Sequence, residues 1–319
     1  MIFDGHSDIL AHIADLRINK NDEDCFRKYH LESFQEGSIS SSIFAIWENK
    51  LTENYEKLSA EQIVESLKAE LIDAEDIINV VKSFQDFEIG KNQNKINIVV
   101  GIEGLEHIKT DLSRLDYYYE EVFVRHASLT WNESNDLATG VKGDDNRGLT
   151  EYGRNAIKRM EHLGMVVDVS HLNEKSFSDV SKVCTKPIIA SHSNCKSLCS
   201  VPRNLTDNQI KFIAESGGII GLNAYSKFIS NDVEFQTVSM LAKHATHIAD
   251  LVGVEYVGFG FDFLSYFEAN LNDVGTKGIN SAAEAPNMIV ALKAEGFSDC
   301  DIKKIAYENF ENVFKVCVK

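Results

Sequence analysis

Proline is scarce in this chain, with three residues in 319. No stretch rich in proline, serine and glycine marks a linker, and residues 1–319 therefore read as a single domain. The six cysteines, Cys25, Cys184, Cys195, Cys199, Cys300 and Cys317, are too few and too scattered for a disulfide framework at this length. Only Cys195 and Cys199 lie close together, and a thiolate zinc knot would need a second close pair that the chain lacks. Basic clusters are missing too. Lys and Arg number 32 against 49 Asp and Glu, a formal charge of −17, which argues against a nucleic-acid partner because phosphate binding is driven by clustered cations. No window approaches the ~18 apolar residues of a membrane helix. The start shows no basic segment followed by a long apolar run. A cytoplasmic protein without a membrane partner is expected, with a homo-oligomer left open.

What the chain does contain is an ordinary globular composition, 44% apolar and 25% charged. Short β-rich apolar runs recur along it, at 1–8, 38–47, 96–104, 122–131, 165–171, 187–193, 217–223 and 256–263. Helical stretches alternate with them. Residues 150–164 have a Thr cap, an acid in the first turn and a closing Gly, and residues 206–218 a Thr or Asp start and a terminal Gly pair. The acidic stretch 49–90 spaces Ile63, Leu67, Leu71, Ile77, Ile78 and Val81 as an amphipathic helix does. Alternating strands and helices imply a parallel sheet with crossover helices, and eight such units fit a closed (β/α)8 TIM-type barrel better than an open sheet.

The polar residues at the ends of those runs form a pattern. The first run, "MIFDGHSD", carries His6 and Asp8 two residues apart, on one face of an extended segment. Later runs end in Glu103, His171, His192 and Asp262. In a barrel all of these fall at the C-terminal ends of strands, where such folds place their chemistry. Imidazole and carboxylate donors without thiolate suit zinc, with manganese, iron or cobalt as substitutes, and their number exceeds the needs of one tetrahedral ion. Two metals are implied, with Glu103 as the bridge, His6 and Asp8 completing one and His171 and His192 the other. Two ions about 3.5 to 4 Å apart share a water, lower its pKa towards ~7 and polarise a carbonyl. Asp262 is then placed to shuttle a proton from that water to a leaving amine.

The segments "DGHSD" (4–8), "GIEG" (101–104), "SLTWNESN" (128–135), "VDVSH" (167–171), "IIASHS" (188–193), "VPRN" (201–204), "GLNAY" (221–225), "VGFGFDF" (257–263) and residues 289–315 run the length of the chain. In that order they resemble the membrane (renal) dipeptidase family of binuclear zinc peptidases, within the amidohydrolase-like barrels, and in particular its soluble bacterial members. The resemblance implies hydrolysis of dipeptides, with His6, Asp8, Glu103, His171 and His192 in the metal-ligand positions. It puts Arg203 where the family binds the substrate's free carboxylate, a task the guanidinium fork suits. Tyr225 either lines the pocket or packs as a barrel aromatic. Two departures bear on substrate range. Trp131 stands where animal members have a histidine that helps stabilise the oxyanion, and an indole donates one hydrogen bond but takes no positive charge. After Asp262 the chain reads "DFLS" rather than Phe-Asp-Gly. His126, five residues before Trp131, should face the other way and not replace that imidazole. A related amidase or ester hydrolase on the same site, or a metal-binding barrel without turnover, are the alternatives.

Overall fold

The computed structural model describes residues 1–48, 57–267 and 275–318. Nine parallel strands occur among them: β1 (Ile2–Ser7), β2 (Ile39–Ile46), β3 (Ile78–Val80), β4 (Ile96–Glu103), β5 (Val124–Ser128), β6 (Val166–Asp168), β7 (Ile188–Ala190), β8 (Ile219–Leu222) and β9 (Val257–Phe259). They are ordered β2-β1-β9-β8-β7-β6-β5-β4-β3, and β2 also pairs with β4 from Ser41 opposite Asn97 to Ile46 opposite Ile102. That extra pairing closes eight strands into the expected (β/α)8 barrel, and β3 lies outside the ring, bonded to the first residues of β4. A strand covered on both sides reads as a continuous apolar run, and all eight residues of β4, "INIVVGIE", are buried.

The helices follow their caps. Helix Glu151–Leu163 starts where the Thr150 side chain accepts the Gly153 amide and stops at Gly164, whose φ of 93° only glycine adopts without strain. Helix Asp207–Glu215 opens with a reciprocal box between Thr206 and Gln209. The reading of 49–90 as one amphipathic helix needs correction. Residues 49–56 lie outside the described residues, the helix spans Ala60–Asp73, and a second runs from Gln85 to Asn92. Between them Ile78 belongs to β3. Three residues with apolar neighbours fit either period, and pairing with β4 decides for the strand.

Side chains fill the barrel in layers. At the N-terminal end, Phe3, Ile43, Val99, Val166, Ile189 and Ile219 meet Phe310 and Phe314 of helix Asn309–Cys317, which stoppers the ring; Phe3 stacks on Phe310 at 5.0 Å. Two residues further along the same strands stand Gly5, Ala45, Gly101, Asp168, Ser191 and Gly221, a layer of small or polar residues instead of branched apolar ones. His126 occupies the room they leave. A Cβ on Gly101 would lie 2.5 Å from its Nδ1. Above this layer lies the mouth. Among the described residues no helix is long and apolar enough to cross a membrane.

Candidate metal centre

Glu103 continues the inward alternation of Val99 and Gly101 and so reaches the mouth directly. His6 does not arrive that way. Phe3 packs in the interior and Gly5 faces it, its Cβ position 2.3 Å from the Phe310 ring, so simple alternation would turn His6 outward. A register shift against β2 between Asp4 and Ser7 re-aims it. Asp8 lies just past the strand, at the start of helix Ile9–Asn19. His171 and Asp262 both sit in the left-handed region, at φ 69° and 59°, conformations that cost a non-glycine residue about 1 kcal/mol or more and cluster at functional sites.

These residues converge. Glu103 Oε1 lies 2.8 Å from His171 Nε2, 3.3 Å from His192 Nε2 and 3.5 Å from His6 Nε2, and His6 Nε2 is 3.4 Å from Asp8 Oδ1. The His171 and His192 Nε2 atoms are 2.8 Å apart. His6, Glu103 and His192 form one group whose ligand atoms lie within 4.8 Å of one another, and His6, Asp8 and Asp262 a second. Asp262, read from the sequence as a proton shuttle, thus also stands with His6 and Asp8. Its Oδ2 accepts from Asn223 Nδ2 at 3.0 Å, and backbone N–H of Asp262 donates to the His6 carbonyl.

The donor chemistry fits metal ions. Both ring nitrogens of His6 and Oδ1 of Asp8 are buried without a hydrogen-bond partner among the described residues, a cost of roughly 1–3 kcal/mol each unless something else satisfies them. His171 Nδ1 is 2.9 Å from Asn132 Oδ1 and His192 Nδ1 is 2.7 Å from Ser191 Oγ. With those nitrogens bonded on the far side, the Nε2 lone pairs face each other and Glu103. Burial opposes charge on His6, but Glu103 and Asp8 outweigh it and draw its pKa up to about 10, so the pocket favours a cation at this point. Burial pushes Glu103 well above the carboxylate range and lifts Asp262 to about 6. Burial, with the Arg203 charge nearby, holds His171 and His192 well below the usual imidazole value.

The site opens into a cavity of about 410 Å³ whose lining includes Asp8, Glu103, His171, Asp262, Arg203, Trp131 and Tyr225. That volume is typical of small-molecule sites. Arg203 is buried: Nη2 lies 3.0 Å from His171 Nε2 and donates to the His192 carbonyl at 3.3 Å, and Nη1 donates to Ser193 Oγ at 3.4 Å. One lone pair of His171 serves either the guanidinium or a metal. Among the described residues Nε of Arg203 has no hydrogen-bond partner and no carboxylate lies in ion-pair contact with this side chain, although the charges of Glu103 and Asp262 act on it at longer range. Trp131 stands over the mouth, its ring 6.2 Å from that of His171, and Tyr225 is half-buried with its ring 4.7 Å from Phe228. His126 points into the barrel below, with Nε2 2.9 Å from Asp168 Oδ2. Sequence reasoning missed Trp47, Lys142, Lys227 and Phe228 in the lining, and Asn132 and Asn223 as partners of His171 and Asp262. The two asparagines were visible inside "SLTWNESN" and "GLNAY"; nothing distinguished the others from surface or core residues.

The family profile described as Membrane dipeptidase (Peptidase family M19) matches residues 1–318. The chain belongs to the membrane dipeptidase family. Among curated relatives, an uncharacterised protein from the pqqA 5′ region of Klebsiella pneumoniae is 32% identical over 243 residues, covering 73% of this chain and 86% of that one. An uncharacterised dipeptidase of Schizosaccharomyces pombe is 34% identical over 63% of this chain and 48% of its own length, so this membrane dipeptidase homologue spans about half of it. Among solved structures, the dipeptidase AC, a metallo peptidase, superposes with a TM-score of 0.87 at 25% identity, covering 99% of this chain and 98% of that one. A metallo peptidase from Rhodobacter sphaeroides, liganded with a phosphinate mimic of the dipeptide L-Ala-D-Ala, shares the fold with a TM-score of 0.86 at 24% identity over 99% of both chains.

Proposed function

We propose that this protein is a binuclear zinc dipeptidase. His6, Asp8, Glu103, His171 and His192 would hold the two ions, with Glu103 as the shared ligand and Asp262 beside the first. The observation that carries the reading is Arg203, a buried guanidinium with an unpartnered Nε and no carboxylate in ion-pair contact among the described residues, at the edge of the donor cluster inside the pocket. A cation so placed suits the free carboxylate of a short peptide, and the dipeptide mimic bound by the Rhodobacter relative fits this reading.

When bound, the zinc ions supply Lewis-acid polarisation of the scissile carbonyl and a water of lowered pKa. The chain's own residues do the rest. Arg203 binds and orients the C-terminal carboxylate. Asp262, steadied by Asn223, accepts the proton lost by the attacking water and delivers it to the leaving amine. Asn132 steadies His171, and Trp131, Trp47 and Phe228 wall the pocket against bulk water. Trp131 puts no positive charge beside the carbonyl, and its indole N–H offers a developing oxyanion one hydrogen bond at most, so bound ions would have to supply the charge.

A panel of dipeptides, N-acetylated dipeptides, dipeptide amides and tripeptides, assayed on zinc-loaded protein, tests the proposal. Selective cleavage of free dipeptides supports it. Preference for amides or esters would favour the amidase reading, and no turnover of any substrate would favour a barrel that only binds metal.

A further inference from the structure

Below the metal ligands, the barrel interior contains a polar layer that the hydrolysis outlined above does not use. Asp168 is 1% exposed, and Ser191 and His126 are wholly buried, so the layer is shut off from bulk solvent. Asp168 Oδ1 accepts the backbone amides of Ser170 at 2.9 Å and Ser191 at 3.0 Å. Its Oδ2 meets the Ser191 hydroxyl and His126 Nε2. The other side of Ser191 Oγ is 2.7 Å from Nδ1 of His192. Glycines shape the layer: a Cβ on Gly221 or Gly260 would strike the Ser191 carbonyl at 1.9 or 1.7 Å.

Counting hydrogens gives this chain a direction. Amides only donate, so Oδ1 acts as an acceptor twice over; burial opposes charge on Asp168, but the His126 imidazole, the Ser191 hydroxyl and the Ser170 amide hold its carboxyl well below the usual carboxylate range, and the carboxylate has no proton to offer at Oδ2 either. Ser191 has one hydroxyl proton. Given to Asp168, it leaves lone pairs on Oγ facing the Ser170 hydroxyl at 3.4 Å and His192 Nδ1 at 2.7 Å, and the shorter contact is a hydrogen bond only if Nδ1 carries the imidazole proton. Nε2, on the side of Glu103 and His171, is then bare.

We propose that Asp168 and Ser191 are positioning residues which lock His192 in its Nδ1–H tautomer and thereby present Nε2 to the second metal position. The inference rests on the metal-centre reading above and adds two residues to it that lie outside the candidate ligand and substrate-binding set. Orientation of a metal-bound histidine through its other nitrogen is worth about 10- to 100-fold in metal affinity.

Asp168→Asn tests it with the shape unchanged. The asparagine oxygen takes the two amides, its NH2 group donates to Ser191 Oγ, and the serine proton turns towards His192 Nδ1. That nitrogen must then accept, which moves the ring proton to Nε2. Zinc-loaded protein is dialysed against graded chelator and the zinc retained per chain is counted. The wild type is expected to hold two ions; Asp168→Asn and Ser191→Ala lose one at a chelator concentration about 10- to 100-fold lower. Ser191→Thr, which keeps the hydroxyl, retains it. The 15N shifts of the His192 ring in metal-free protein provide an independent readout, with Nδ1–H expected in the wild type and Nε2–H in Asp168→Asn. An Asp168→Asn protein that melts like the wild type when metal-free, keeps its Nδ1–H signal and holds zinc as tightly would overturn the proposal. A wild type that holds one ion but shows the tautomer switch would instead count against the two-ion reading and leave the positioning role supported.

Discussion

Replacing Arg203 probes the link between charge and substrate most directly. Arg203 is 8% exposed, and among the described residues its three hydrogen-bond partners are neutral groups and Nε has none. Glu103 and Asp262 act on it only at longer range, so a substrate carboxylate would be the first anion in direct contact with it among the described residues. Breaking a buried, hydrogen-bonded charge pair costs about 2 to 5 kcal/mol. At about 1.4 kcal/mol per factor of ten, Arg203→Ala should lower kcat/KM for a free dipeptide by roughly 30- to 3,000-fold. The matching dipeptide amide lacks the anion, so it should be a poor substrate of the wild type and change little in the variant. Arg203→Lys should recover part of the loss, because an ammonium restores the charge without the planar fork. The assay is steady-state kinetics of the three proteins on the acid and amide pair, with zinc content measured in parallel because Nη2 touches His171. Equal losses on both substrates at unchanged zinc content would refute the argument, since the contribution of Arg203 would then have nothing to do with the carboxylate.

Glu103→Ala should lose both zinc ions and all activity, as one carboxylate oxygen stands within 3.5 Å of three imidazoles; elemental analysis showing unchanged occupancy would count against a shared ligand. Trp131→Phe should raise KM and leave kcat nearly intact, the mark of lost uniform binding, whereas a large fall in kcat at saturation would place the indole N–H in the transition state. Phe310→Ala, which empties a 1% exposed position stacked on Phe3, should lower unfolding free energy by about 3 to 5 kcal/mol, measured by denaturant titration.

Much of the barrel was legible because parallel strands buried on both faces leave unbroken apolar runs, and all eight ring strands lie within such runs. β3 was not, since Ile77, Ile78 and Val81 satisfy a helical spacing as well as an extended one and only contact with β4 separates the two. The convergence of His6, Glu103, His171 and His192 followed from their shared end of the barrel, yet the route of His6 did not. Alternation from Phe3 would have turned it outward, and the register shift that corrects this has no signature in "FDGHS". Asp168 and Ser191 escaped notice for a related reason: they sit inside "MVVDVSH" and "IIASHS" next to stronger candidates, and a polar residue in the barrel interior becomes informative only once the glycines around it are seen to make room.

The ring closes where β1 meets β9, joining Asp4 to Phe259, and the stopper comes from Asn309–Cys317. The first strand therefore lacks one of its neighbours until β9 has been made, and the aromatic floor under Phe3 waits for helix Asn309–Cys317. Folding of this kind is dominated by distant contacts and is slow. The candidate metal centre shares the constraint, because His6 and Asp8 belong to the β1 end and Asp262 follows β9. The five proposed ligands all precede β8 in the chain, whereas Asp262, the proposed proton shuttle, joins them only once β9 is in place.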